Sequence, residues 1–230
     1  MSRLDARLQA IIDWIRQSTD VAAGRGALIP VSGGSDSALG FWLCAQALPP
    51  GRAIGAFVGT GLRCQDWFEQ QGPLRMLAEP PASSHIETTR WALMLSLSLD
   101  VRGWLVGTRN RTEEVFGTYS LASRVATLLP LAGLWKSEVM ELALSVGVPD
   151  EILASSGRAD PSCGRPQAMA DIPFATVDRF LQVRLGERAA SELRTIAPAT
   201  LEYLDSVYRR NRFKHALPLS APTFAPREEV

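Results

Sequence analysis

The stretch Ser32-Gly33-Gly34-Ser35-Asp36-Ser37 stands between a short apolar run, Ala27-Leu28-Ile29, and a segment of helical character over 38–48. That order is a strand, a tight loop and a helix start, and it restricts the chain to folds in which a strand hands over directly to a helix. A helix opening carries unpaired backbone N–H groups and the positive end of the peptide dipoles, so it suits an anion. Glycines let the backbone approach phosphate oxygens, and serine hydroxyls add neutral donors. Asp36 repels a polyphosphate unless a cation lies between them, which points to magnesium. The competing reading is an ordinary N-cap by Ser35 or Asp36 after a glycine turn, and these six residues alone do not separate the two.

The rest of the chain repeats the handover. Strands are expected over 27–31, 53–58, 103–107 and 126–131, and helices over 4–17, 38–48, 89–99 and 136–146. Two further helices are expected over 174–183 and 187–210, with loops and one short helix across 59–84. Alternation of this kind implies an α/β fold: a doubly wound, mostly parallel sheet with helices on both faces and the ligand at the strand carboxyl ends. A length of 230 residues suits a single domain, 1–230, with 154–171 as a mobile loop or lid and 219–230 as an extended tail. Trp14, Trp42, Trp91 and Trp104 sit in apolar surroundings and read as core.

Charge bounds the partners. Lys plus Arg and Asp plus Glu are 24 each, so no overall pull toward nucleic acid or a membrane surface is expected and any anion site must be local. Cys44, Cys64 and Cys163 are far apart and form no CxxC pair, which argues against a zinc knuckle and suits a reduced cytoplasm. The most apolar run, 91–99, is short and broken by Ser96 and Ser98, so neither a membrane span nor an export signal is expected. Of the 24 cationic side chains only Lys136 and Lys214 are lysine; where arginine is the default, a lysine can mark a site that wants a compact, swinging charge.

A second loop, Gly107-Thr108-Arg109-Asn110-Arg111-Thr112-Glu113, has the same logic: strand, glycine and hydroxyl turn, then an acid at a helix start. Such loops lie side by side at the carboxyl edge of a doubly wound sheet, so Asp36 and Glu113 could share one magnesium. Alternatively Glu113 and Glu114 simply complement a helix N-terminus.

SGGSDS resembles the SGGxDS pyrophosphate loop of the N-type ATP pyrophosphatases, the PP-loop superfamily with the adenine nucleotide alpha hydrolase-like fold. GTRNRTE is similar to the GTxNxxE element of its ammonia-dependent NAD synthase family, and Leu134-Trp135-Lys136-Ser137-Glu138-Val139 to the LxKxxV segment of that family. The resemblance implies that Ser32, Gly33, Gly34, Ser35, Asp36 and Ser37 enclose the phosphates of ATP. It also implies that Asp36 and Glu113 bind magnesium and that Thr108 and Lys136 contact ATP, which makes Asp36, Glu113 and Lys136 the catalytic candidates. The reaction it implies is adenylation of a small-molecule carboxylate with release of pyrophosphate, followed by attack of ammonia to give an amide and AMP. Ammonia then comes from solution or from a separate glutaminase, and the family implies a homodimer.

Departures fall on the acceptor side. Where the family carries RxRM this chain has Thr88-Thr89-Arg90-Trp91, and where it carries GYxTKYGDGGxD this chain has Gly117-Thr118-Tyr119-Ser120-Leu121-Ala122-Ser123-Arg124-Val125. The tail histidine is Phe213 beside Lys214, and Gln167 is followed by Ala168 and Met169 instead of an acidic pair. Arg90 and Lys214 remain as the acceptor-binding residues that the resemblance implies. The acceptor is therefore expected to be deamido-NAD or another carboxylate. A base-thiolating relative and a non-catalytic nucleotide-binding subunit are the alternatives; neutral charge counts against the first, and retention of both acids and Lys136 against the second.

Overall fold

A computed structural model describes residues 3–20, 25–79, 85–158 and 167–218. Helix α1 (Arg3–Asp20) buries Leu8, Ile12 and Ile15 on one stripe, while Trp14, expected in the core, points outward with 43% of its surface exposed. Strand β1 (Gly26–Pro30) ends at its proline, which can donate no ladder bond, and the chain turns into α2 (Ser35–Ala47). Next come β2 (Ala53–Val58), α3 (Gln65–Gln71), β3 (Leu74–Leu77), α4 (Ile86–Asp100) and β4 (Gly103–Leu105). The four strands are parallel in the order β3-β2-β1-β4, with Ala27 opposite Ala53 on one side and Leu28 opposite Leu105 on the other.

Alternation along β1 and β2 builds two cores. Ala27, Ile29, Ala53 and Phe57 face α1, α2 and α6 (Lys136–Ser145), whereas Leu28, Ala56, Val58 and Leu105 face Met94 of α4. Helices thus cover both faces of the sheet, as expected. The C-terminal half adds α5 (Arg111–Phe116), α7 (Asp150–Ser156), α8 (Gln167–Ala170), α9 (Phe174–Arg184) and α10 (Pro198–Asn211). Phe116, Trp135, Phe180, Leu181, Leu204 and Val207 form a third apolar cluster among them. Among the described residues no helix is long and apolar enough to cross a membrane.

Several expectations need correction. The segment 126–131 is not a strand; Leu128 makes a single parallel bridge to Val106, in a stretch that follows a 3-10 turn (Leu121–Val125) and runs into Pro130. The segment 59–84 holds a strand, β3, as well as a helix. The single helix expected over 187–210 is a 3-10 turn (Ala190–Thr195) and then α10, which begins at Pro198, a residue suited to a first helical position. Of the expected lid, 159–166 lies outside the described residues, as do Cys163 and the 219–230 tail; the described flanks are helical at Ser156 and at Gln167–Ala170.

Candidate active site

Between β1 and β4 the winding reverses, so the loops that leave these two strands border one crevice at their carboxyl ends. The first loop is fixed from within. Gly33 takes φ +76°, a conformation that costs other residues a steric clash, and the turn lets Ser37 reach back. The Ser37 hydroxyl donates to the Gly34 carbonyl at 2.9 Å and accepts the Ser32 amide at 3.1 Å, with Ser32 Oγ 3.2 Å away. Ser37 is 1% exposed and holds the loop's shape. The N-cap of α2 is Gly34, with no side-chain cap, so neither Ser35 nor Asp36 acts as the ordinary cap. Both stand in the first turn, where amides have no partner within the helix.

The second loop packs closely because α2 carries Gly40 at the contact: a Cβ there would lie 3.2 Å from Thr108 Cγ2. Beyond Thr108, Asn110 caps α5 in a capping box. Its Oδ1 accepts the Glu113 amide at 3.0 Å, and the Glu113 carboxylate accepts the Asn110 amide at 3.2 Å. Asn110 Nδ2 then crosses to the first loop and donates to Asp36 Oδ1 at 2.8 Å. The other oxygen of Asp36 pairs with Lys136 Nζ, which also donates to Ser35 Oγ at 2.8 Å. Asp36, Glu113 and Lys136, scattered over a hundred positions of sequence, are therefore linked through one buried asparagine.

Burial and the neighbouring charge of Asp36 push Glu113 up to about 7, against the pull of Lys136 and Arg109. Glu113 thus both caps α5 and stands under strain as a charge, while Glu114 lies 3.2 Å from Arg109 Nε. Among the described residues no third His, Cys, Asp or Glu joins Asp36 and Glu113. Two carboxylates that repel each other still fit magnesium, which keeps waters and takes phosphate oxygens as its remaining ligands.

Lys136 is 6% exposed and is held by its backbone. Its amide donates to Thr112 Oγ1 at 2.8 Å, and the Ser137 amide donates to Asp178 Oδ2 at 2.9 Å; Thr112 in turn donates to Asp178 Oδ1. Asp178, on α9 and 3% exposed, thereby ties α5 to the start of α6. The Lys136 ammonium lies 5.4 Å from the centre of the Phe174 ring.

Sequence reasoning gave no role to Asn110, Ser156 or Asp178. The Ser156 hydroxyl, at the end of α7, accepts the Ser35 amide at 3.2 Å and donates to Ser35 Oγ at 2.7 Å. Asn110 stood inside a quoted motif and could have been found; Ser156 and Asp178 belong to none. The two expected acceptor residues take separate partners. Arg90 pairs with Glu79 at 2.6 Å and Glu87 at 3.6 Å, while Lys214 Nζ donates to the carbonyls of Gly117 at 2.6 Å and Tyr119 at 2.7 Å. Burial draws the Lys214 ammonium below its usual pKa.

The family model of NAD synthase matches residues 84–218. The chain is 27% identical to the NH3-dependent NAD synthetase of Methanosarcina acetivorans, over 87% of this chain and 90% of that protein. It is 26% identical to the enzyme of the same name from Methanosarcina mazei, over 75% and 79%. Among solved structures, NMN synthetase from Francisella tularensis superposes with a TM-score of 0.75 at 20% identity, over 97% of this chain and 100% of that one. An NH3-dependent NAD synthetase from Campylobacter jejuni gives 0.73 at 17%, over 96% and 100%. At these identities the two structures establish a shared fold. With a family match across more than half of its length, added to the paired loops and the lysine between them, the chain belongs to the NAD synthase family, ATP-dependent ligases that form a carbon–nitrogen bond.

Proposed function

We propose that the protein is an ammonia-dependent, amide-forming ligase that activates a small-molecule carboxylate with ATP. The observation that carries this reading is the linked set Asp36, Asn110, Glu113 and Lys136 across the β1 and β4 loops. The amides of the first α2 turn, together with Ser32, Ser35 and Thr108, receive the triphosphate, and Gly33 and Gly34 leave room for it. Asp36 and Glu113 would hold magnesium, which offsets charge on a departing pyrophosphate. Lys136 is then shared between Asp36 and the phosphates, a use that suits a swinging point charge.

The acceptor carboxylate oxygen attacks the α-phosphorus, and the bond to the bridging oxygen breaks with its electrons leaving on pyrophosphate. Ammonia nitrogen next attacks the acyl carbon, AMP departs, and one ammonia proton is released. What the chain contributes is position and fixed charge, the usual source of rate in transfers of this kind.

Deamido-NAD, the acceptor that the family resemblance implies, competes with a different carboxylate. The latter is favoured by the rewritten 117–125 segment, which lacks the lysine and aspartates of the family pattern and folds as a turn clasped by Lys214. Arg90 is proposed to face the acceptor; Lys214, whose ammonium is given over to two backbone carbonyls, is not. A homodimer, a cytoplasmic location, and ammonia from solution or a separate glutaminase complete the proposal. ATP–pyrophosphate exchange across a panel of carboxylates, deamido-NAD included, tests it. Exchange with at least one acid is expected, and Asp36→Asn should abolish it. Exchange with deamido-NAD alone would refute the altered acceptor, and silence with every acid would refute the ligase.

A further inference from the structure

Helix α5 has six residues, too few to hold its own ends in place. Its first turn is fixed by the Asn110–Glu113 box, and its last turn by amides: Gly117 and Thr118 both donate to the carbonyl of Glu113, the latter at 3.2 Å. Two carbonyls just past the helix, those of Gly117 and Tyr119, receive Lys214 Nζ. Lys214 lies in the 3-10 turn (Arg212–Ala216) that follows α10, with its ammonium 5.1 Å from the centre of the Tyr119 ring and the Arg109 guanidinium 4.3 Å from the same ring. Arg124 locks this turn from the other side, donating to the carbonyls of Lys214 at 3.1 Å and Leu217 at 2.7 Å. Contact is tight enough that a Cβ on Gly117 would come within 2.6 Å of Asn211 Cβ.

We propose that Lys214 is a positioning residue for Glu113: its ammonium, spanning two carbonyls just past α5, sets where the Glu113 carboxylate stands relative to Asp36. The inference rests on the reading of those two acids as the magnesium ligands. It assigns Lys214 to the metal side of the site rather than to the acceptor, and it makes the segment after α10 part of that side. A lysine suits this place because one ammonium offers three donors that can be aimed at two carbonyls at once, a role that an apolar side chain such as methionine cannot fill.

Titration calorimetry of the full chain with ATP, in magnesium and in EDTA, separates these roles without needing the acceptor. Wild-type protein should bind ATP more tightly with magnesium. Lys214→Met should lose about 10–100-fold of the magnesium-dependent affinity, as removal of outer partners of metal ligands does. Its affinity for ATP in EDTA should stay put, and Lys214→Arg should recover most of the loss. Amide hydrogen exchange at 113–119 should quicken in Lys214→Met. If that variant does not fold, Arg124→Met, which unlocks the same turn, carries the test. Unchanged exchange, or unchanged magnesium dependence in Lys214→Met, overturns the inference alone. Wild-type protein that binds ATP equally with and without magnesium overturns the metal reading and this inference with it.

Discussion

Asn110→Asp changes the shape of the site little and its charge decisively. Oδ1 of the new side chain can still accept the Glu113 amide, now at 3.0 Å, and aspartate caps helices as well as asparagine does. A full charge at a helix start even adds about 0.3–1 kcal/mol. Against that stands the 2.8 Å bond from Asn110 Nδ2 to Asp36, a donor to an ionised acceptor, which contributes about 1.5–3 kcal/mol. The substitution replaces it with two carboxylates at hydrogen-bond distance, which cannot both stay ionised. Lys136 is already shared between Asp36 and Ser35 and has one charge to give. The loss therefore exceeds the gain. The introduced carboxyl has a folded pKa raised above its unfolded value of about 4. Its penalty is thus absent at low pH, appears as pH rises past the unfolded value, and grows until the folded pKa is passed. Urea unfolding of wild type and variant from pH 5 to 8 should show a gap that widens with pH to at least about 0.5–2.7 kcal/mol, the lost bond less the gain at the helix start. A variant as stable as wild type at pH 8, or a gap independent of pH, refutes the crossing bond.

Three other outcomes follow from the geometry. Because burial and Asp36 raise Glu113 to about 7 from 4.5, stability should be lost as pH climbs from about 4.5 through about 7, and Glu113→Gln should remove that slope, giving a higher urea midpoint than wild type at pH 8; parallel pH profiles would show that Glu113 is not under that pressure. Ser156 occupies the Ser35 amide that a phosphate oxygen would use, so Ser156→Ala should lower the KM for ATP by roughly 2–10-fold, one net hydrogen bond's worth, and a raised KM would instead make Ser156 a ligand of the nucleotide. Phe68, fully buried and stacked on Phe41 with ring centres 6.4 Å apart, should cost about 3–5 kcal/mol when changed to Ala, and a loss under 1 kcal/mol by urea unfolding would show that α3 is not integral to the sheet core.

What could be read in the sequence is what local chemistry decides. β2 was legible at both ends because a PPG break and a glycine bound an apolar run, and β1 because an apolar run leads into the glycine turn, although its proline counts against a strand and ends it one residue before the expected Val31. β3 escaped because an edge strand needs one partner only: Leu74–Leu77 follows Gly72-Pro73 and leaves Arg75 and Met76 exposed, so no alternating apolar pattern announces it. The 126–131 segment misled for the opposite reason: its apolar residues lie beside the end of β4, but the pairing stops after the one bridge at Leu128, before Pro130. In the site, Asp36, Glu113 and Lys136 were legible because each stands in a motif with glycines or hydroxyls around it. Ser156 and Asp178 were not, since serine ends many helices and a buried aspartate looks like any other until its donors, Thr112 and Ser137, are seen. Their roles are set by tertiary packing.

Asp178 also orders the events of synthesis. The strands, the loops after β1 and β4, and Lys136 leave the ribosome well before α9, and until α9 arrives Thr112 and the Ser137 amide lack the carboxylate that joins them. The anchor of the Lys136 backbone is thus complete only once α9, in the last quarter of the polypeptide, has been made.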